Sequence, residues 1–184
     1  MPYDPQRHQR RTIRLKGHNY AMPGLYYLTI CAGCRGSIFG RRVDEAIALN
    51  AVGQIVQTTW LWIPSHFSYV HLDAFVVMPD HVHGIIVLTA GAGGNGDAAG
   101  RTQHAASLPF APHVPIGAPI APQLTPGSLP VIVRAFKSAA TREANLLCGT
   151  PGATLWQSRY YEHIVRDEDD LARIRRYIAA NPMR

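Results

Sequence analysis

The chain has 184 residues, 47% of them hydrophobic, which suits one domain with a real core. Its net charge of +6 and pI of about 9.5 favour an acidic partner, nucleic acid ahead of an anionic membrane surface. The longest apolar runs, such as Ala74–Met78 and Gly84–Ala90, are far too short to span a bilayer, and the Arg-rich start has no apolar stretch of a secretory signal behind it. A cytoplasmic protein without a membrane partner is expected.

Residues 1–20 form a basic arm in which Arg7, Arg10, Arg11, Arg14 and Lys16 outnumber Asp4, a solvated tail or a phosphate-contacting segment. Gly24–Cys31 (GLYYLTIC) is rich in aromatic and β-branched residues and predicts a strand. Cys31 and Cys34 form a lone CxxC. With Cys148 the count is odd, no second pair completes a zinc site, and ordinary thiols at a strand end are expected. Ala46–Leu49 suggests a short strand. Asn50 can cap a helix reaching about Trp62, which Pro64 should end. Val70–Met78 and His81–Leu88 predict two strands joined at Pro79-Asp80.

Residues 90–127 are dominated by Gly, Ala and Pro and predict a flexible insertion within one domain. Leu129–Leu147 predicts a helix, since Val133, Phe136, Ala140, Ala144 and Leu147 share one face. Leu155–Val165 predicts a strand. Asp167 should cap a last helix from Glu168 to about Ala180, with acids first and Arg175 and Arg176 later, as the helix dipole prefers. Such an order predicts an α+β fold with helices packed on an antiparallel sheet.

Two pairs could carry chemistry. His81 and His83, two apart in a strand, point to one face and could share a metal ion; an exposed pair on a half-buried sheet is the plain alternative. Asp80 adjoins them but should point away from that face. Tyr177 and Asn181, four apart, share a helix face at the edge of the Leu171, Ile174, Ile178 stripe. Packing for the tyrosine and a helix end for the asparagine are the plain alternatives. Taken together, a metal on His81 and His83 could accept Asn181 as an oxygen ligand and leave Tyr177 one turn away as a nucleophile. Arg173 or Arg176 could help the phenol to ionise. Phosphate oxygens and water would complete the shell of Mg²⁺ or Mn²⁺.

The stretch Leu72–Leu88, LDAFVVMPDHVHGIIVL, resembles the HUH block of single-tyrosine transposases, including the REP-associated tyrosine transposases. Leu155–Pro182 resembles their C-terminal signature, with Trp156-Gln157, Tyr160-Tyr161-Glu162-His163, Ile164, Arg166 and Tyr177-Ile178-Ala179-Ala180-Asn181-Pro182. Phe136-Lys137-Ser138, the arm around Arg14-Leu15-Lys16-Gly17 and the strand Tyr26–Cys31 fit as well. The resemblance implies a ferredoxin-like or RRM-like sandwich and a metal-dependent nuclease acting on single-stranded or hairpin DNA in transposition. It makes His81 and His83 metal ligands with Asn181 as third ligand, and Tyr177 the nucleophile that forms a 5′-phosphotyrosine and frees a 3′-hydroxyl.

Tyr160 and Tyr161 compete for the nucleophile role or stack on unpaired bases. His163 could face the site or pack. Arg134 and Lys137 are candidates for phosphate contact, as are Arg14, Lys16, Arg173 and Arg176. The signature ends almost at Arg184, so a C-terminal DNA-binding tail is expected to be missing or short. Some members of the family act as dimers that exchange tyrosine helices; the sequence leaves monomer and homodimer open. The alternative is a non-catalytic or domesticated single-stranded nucleic-acid-binding module of the same fold, with Tyr26, Tyr27, Tyr160 and Tyr161 stacking on bases.

Overall fold

The computed structural model describes Leu15, residues 17–90 and residues 125–183. The basic arm through Arg14, Lys16 and nearly all of the Gly/Ala/Pro insertion lie outside the described residues. Chain order gives strands β1 (Gly24–Cys31), β2 (Gly40–Val43) and β3 (Ala46–Leu49), helix α1 (Ala51–His66), strands β4 (Val70–Val77) and β5 (His81–Leu88), helix α2 (Leu129–Cys148), strand β6 (Tyr161–Ile164) and helix α3 (Glu168–Ala180), then a 3₁₀ turn, Asn181–Met183.

The main sheet is antiparallel throughout, in the order β4-β5-β1-β6. Without the β2–β3 hairpin and α3, the order is that of a ferredoxin-like split βαβ pair, the α+β sandwich expected. One face buries Tyr26, Leu28, Ile30, Val82 and Ile86 under α1 and α2, with Trp60 and Phe136 between sheet and helices. The other face is covered in part by α3, where Leu171, Ile174 and Ile178 close over Tyr27 and Ile85.

Three elements depart from the sequence expectation. Pro64 does not end α1, which runs to His66. A proline in the last turn gives up one hydrogen bond, and the Phe67 N–H to the Ile63 carbonyl, at 3.0 Å, closes the end. The strand expected over Leu155–Val165 shrinks to β6, plus one bridge between Ala32 and Trp156. Between them the chain leaves the sheet, and Lys137 takes the carbonyls of Gln157 and Arg159, at 2.9 and 3.2 Å. β2 was not expected; it pairs with β3 across a turn in which Asp44 is left-handed, at φ 53°.

In β4 the register slips between Leu72 and Phe75. Val70 and Leu72 face the α1/α2 core, and beyond the bulge Phe75 and Val77 do. At the bulge Asp73 receives both Nε and Nη2 of Arg175, at 2.8 and 2.6 Å, which fastens α3 to the sheet. Gly84 serves the opposite face from the one its neighbours suggest. A Cβ there would stand 2.3 Å from Cζ2 of Trp60, so the missing side chain admits the indole.

Candidate active site

Strand register assembles the site. Val76, His83, Thr29 and Tyr161 form one row across β4, β5, β1 and β6, and Ile85, Tyr27 and His163 form the next. Cys31 lies opposite His81 beyond them. All point to the α3 face, because side chains two apart on a strand share a side. α3 then lays Tyr177 edge-on to His83, with ring centres 5.2 Å apart. Tyr177 keeps 38% exposure while His83 keeps 4%.

The imidazoles meet through Nε2, 2.9 Å apart. Behind them, Asp80 Oδ1 is 2.6 Å from His81 Nδ1. The carboxylate accepts the Nδ1 proton, the tautomer that puts the His81 lone pair on Nε2. Nδ1 of His83 lies 2.8 Å from the Tyr27 hydroxyl and 2.9 Å from that of Thr29. With its proton on Nδ1, His83 presents a second lone pair on Nε2, and the two lone pairs face each other. In that tautomer the pair can share a cation, whereas a proton on either Nε2 makes a direct hydrogen bond between the rings. Two nitrogens each about 2.1 Å from an ion and at right angles around it would be roughly 3 Å apart, close to the observed gap. The pair therefore fits a divalent metal, with each ring steadied from behind in the way metal-binding histidines usually are.

Electrostatics agree with this geometry. Burial, with His81 adding to it and Asp80 opposing it, pushes His83 down to about 4, so it is neutral at physiological pH. Burial pushes Tyr27 up to about 12 against the lowering bond from Thr29, so Tyr27 remains a phenol. Burial and the nearby Asp80 raise the Cys31 thiol, and Lys137 lowers it. Cys31, Cys34 and Cys148 are free thiols.

The structure thus brings His81, His83, Tyr177 and Tyr161 to one face. The Tyr161 ring is 6.3 Å from that of Tyr27, nearly the 6.4 Å that separates Tyr27 from Tyr177. Tyr160 is on the other side, under the Lys137 ammonium at 5.4 Å and beside Arg134. Asn181 is buried and its amide donates to the Tyr177 carbonyl at 3.1 Å. Among the described residues it makes no hydrogen bond to either histidine. Arg173 pairs with Asp170, and Arg176 donates to the Ala172 carbonyl at 3.3 Å. His163 does not join the pair; it bonds Asp170 at 2.7 Å. Among the described residues no group of three or more His, Cys, Asp or Glu could hold a metal ion.

Two expectations are corrected. Asp80 does not point away from the histidines, since its carboxylate is the partner of His81. Tyr26 and Tyr27 are not exposed stacking platforms: Tyr26 is buried and donates to the Met22 carbonyl at 2.9 Å, and Tyr27 is buried against His83. Tyr27 and Thr29 are the site residues that the sequence reading missed. Their i, i+2 spacing was visible, but the register that sets them behind His83 was not.

No protein-family model matches the chain. An uncharacterized protein of Haemophilus influenzae (strain ATCC 51907 / DSM 11121 / KW20 / Rd) is 36% identical over 182 residues, which is 98% of this chain and 92% of that protein. The chain belongs to that protein's family. Among solved structures, a REP-associated tyrosine transposase bound to a REP hairpin superposes with a TM-score of 0.55 at 19% identity, covering 92% of this chain and 73% of that one. The likeness establishes a shared fold. No described helix is long and apolar enough to cross a membrane.

Proposed function

We propose that the chain is a single-tyrosine HUH nuclease-transposase that cuts and rejoins single-stranded or hairpin DNA. The observation that supports this best is the facing Nε2 pair, each ring backed by its own partner, with the Tyr177 ring against His83. His81 and His83 would hold Mg²⁺ or Mn²⁺, with Asn181 as the further oxygen donor on the strength of the resemblance. Such an ion, when bound, polarises a phosphodiester oxygen.

Tyr177 Oη attacks the phosphorus. A Tyr177 Oη–P bond forms, the P–O3′ bond breaks, and the phenolic proton is balanced by the one the departing 3′-hydroxyl acquires. A second 3′-hydroxyl reverses the exchange, so no outside energy source is required. Asp80, Tyr27 and Thr29 keep the imidazoles oriented. The half-exposed position of Tyr177 leaves room for a strand to lie over the face that α3 does not cover.

Covalent trapping tests the reading. The protein is incubated with labelled single-stranded hairpins and Mn²⁺ or Mg²⁺, then run on denaturing gels beside Tyr177→Phe and His81→Ala. A protein–DNA band lost in both variants and with EDTA supports the proposal. A band that survives Tyr177→Phe but not Tyr161→Phe moves the nucleophile to β6. No band across a broad set of DNAs overturns the nuclease in favour of a binding module.

A further inference from the structure

On the sheet face away from the histidines, α2 and residues 154–160 enclose an open cleft of about 450 Å³. Pro130, Val133, Leu155 and Trp156 give it apolar walls, and Tyr160 lies along one side. Arg134, Lys137, Ser138 and Thr141 recur three or four apart along α2, so one helix face forms the opposite rim. No carboxylate lines the cleft among the described residues. Arg134 is exposed and has neither ion pair nor hydrogen bond among them. Lys137 ties the Gln157–Tyr160 wall to α2 through two carbonyls, and burial lowers its pKa to about 8.

The wall is also tied to the end of β1. Gly33 N–H donates to the Leu155 carbonyl at 2.8 Å, and Gln157 N–H donates to the Cys31 carbonyl at 3.0 Å. Cys31 is the register partner of His81. The cleft and the first histidine therefore lie at the paired ends of β1 and β5, on opposite faces.

We propose that this cleft takes one unpaired nucleotide of a single-stranded DNA, with the base against Leu155 and Tyr160 and the phosphate on Arg134. Its volume falls in the range that receives a small ligand, about 300–1,000 Å³. Apolar walls under a cationic, carboxylate-free rim match a flat base that carries a phosphate. A nucleotide held here fixes the strand beside the end of β1 while a neighbouring phosphodiester lies on the histidine face. The choice of DNA rests on the nuclease reading above.

Fluorescence anisotropy in EDTA separates binding from cleavage. A short labelled single strand is compared with versions carrying one abasic site at successive positions. For wild type, one abasic position should weaken binding by about 10-fold. Ser138→Trp, which fills the cleft from an exposed helix position, should weaken the intact strand by about as much and erase the abasic penalty. Arg134→Ala should lower the slope of log affinity against log salt by about one. If Ser138→Trp melts early in circular dichroism, the Arg134→Ala slope and the wild-type abasic scan decide. Equal affinities and slopes in wild type and folded variants overturn the proposal. Covalent trapping run in parallel keeps the two readings apart. An adduct with no effect of the cleft variants refutes the cleft alone; cleft-dependent binding with no adduct refutes the nuclease alone.

Discussion

Removing the two hydroxyls behind His83 should weaken metal binding without harming the fold. Tyr27→Phe keeps the ring, which packs 5.7 Å from the imidazole, and removes only the oxygen 2.8 Å from Nδ1. Thr29→Val is close in shape and removes the oxygen at 2.9 Å. Either hydroxyl alone can still receive the Nδ1 proton, so each single variant should bind Mn²⁺ within a few-fold of wild type. The double variant leaves a buried Nδ1–H with no acceptor. That penalises the tautomer with its lone pair on Nε2, and the loss of such a partner typically costs about 10- to 100-fold in affinity, or roughly 1.4 to 2.7 kcal/mol. Titration of Mn²⁺ followed by paramagnetic resonance reads this directly, with no DNA present. Strongly non-additive singles and double are the expected pattern. A folded double variant with wild-type Mn²⁺ affinity would refute the idea that these hydroxyls hold His83 for a metal.

Gly84→Ala should destabilise the fold by about 1–3 kcal/mol, because the new methyl meets a buried indole that cannot retreat; thermal melting checks it, and an unchanged Tm would deny the close packing. Acid should loosen α3. The His163 bond first, and then the Arg173 and Arg166 bonds, hold Asp170 down to about 2 from 3.8. A carboxylate depressed in the folded state stabilises it above about pH 4, and that contribution is lost as the pH falls towards about 2. Asp170→Asn should flatten stability against pH in that window, as urea titrations at successive pH values would show. Asp73→Ala should release Arg175 and raise hydrogen exchange in α3, while the α1/α2 core exchanges as before.

Patterns contained within one element were legible in the sequence. The alternation in GLYYLTIC and HVHGIIVL, the Asp167 cap, and the Leu171, Ile174, Ile178 stripe each report their own local geometry. So does the shared face of His81 and His83. What was not legible depends on partners far along the chain. Tyr27 and Thr29 gain meaning only when β1 pairs with β5, more than fifty residues away. Pro64 looked like a stop because its tolerance depends on how close the helix is to its end. Residues 157–160 looked like strand because nothing local announces that Lys137 will take their carbonyls. Gly84 follows the histidines in the sequence, but its reason lies with Trp60 on the opposite face. Arg173 illustrates the reverse case: a cation near a tyrosine in sequence is engaged by an acid one turn away.

The placement of α3 connects the fold to the proposed chemistry. Two helices cover one face of the sheet fully, whereas a single thirteen-residue helix covers the other only in part. Its apolar stripe needs Tyr27 and Ile85 beneath it, which sets its position across the strands. Its charges set its position along them. Asp170 is held by His163 from β6, and Arg175 by Asp73 from the β4 bulge, so the helix is fastened to both edge strands of the sheet. Tyr177 follows Arg175 by two residues, and its own carbonyl is held by Asn181. A phenol carried on a helix fixed at these points can meet the imidazole of His83 without being buried by it. The bulge at Asp73 and the histidine at position 163, neither of them on α3, are therefore part of what positions Tyr177, the proposed nucleophile.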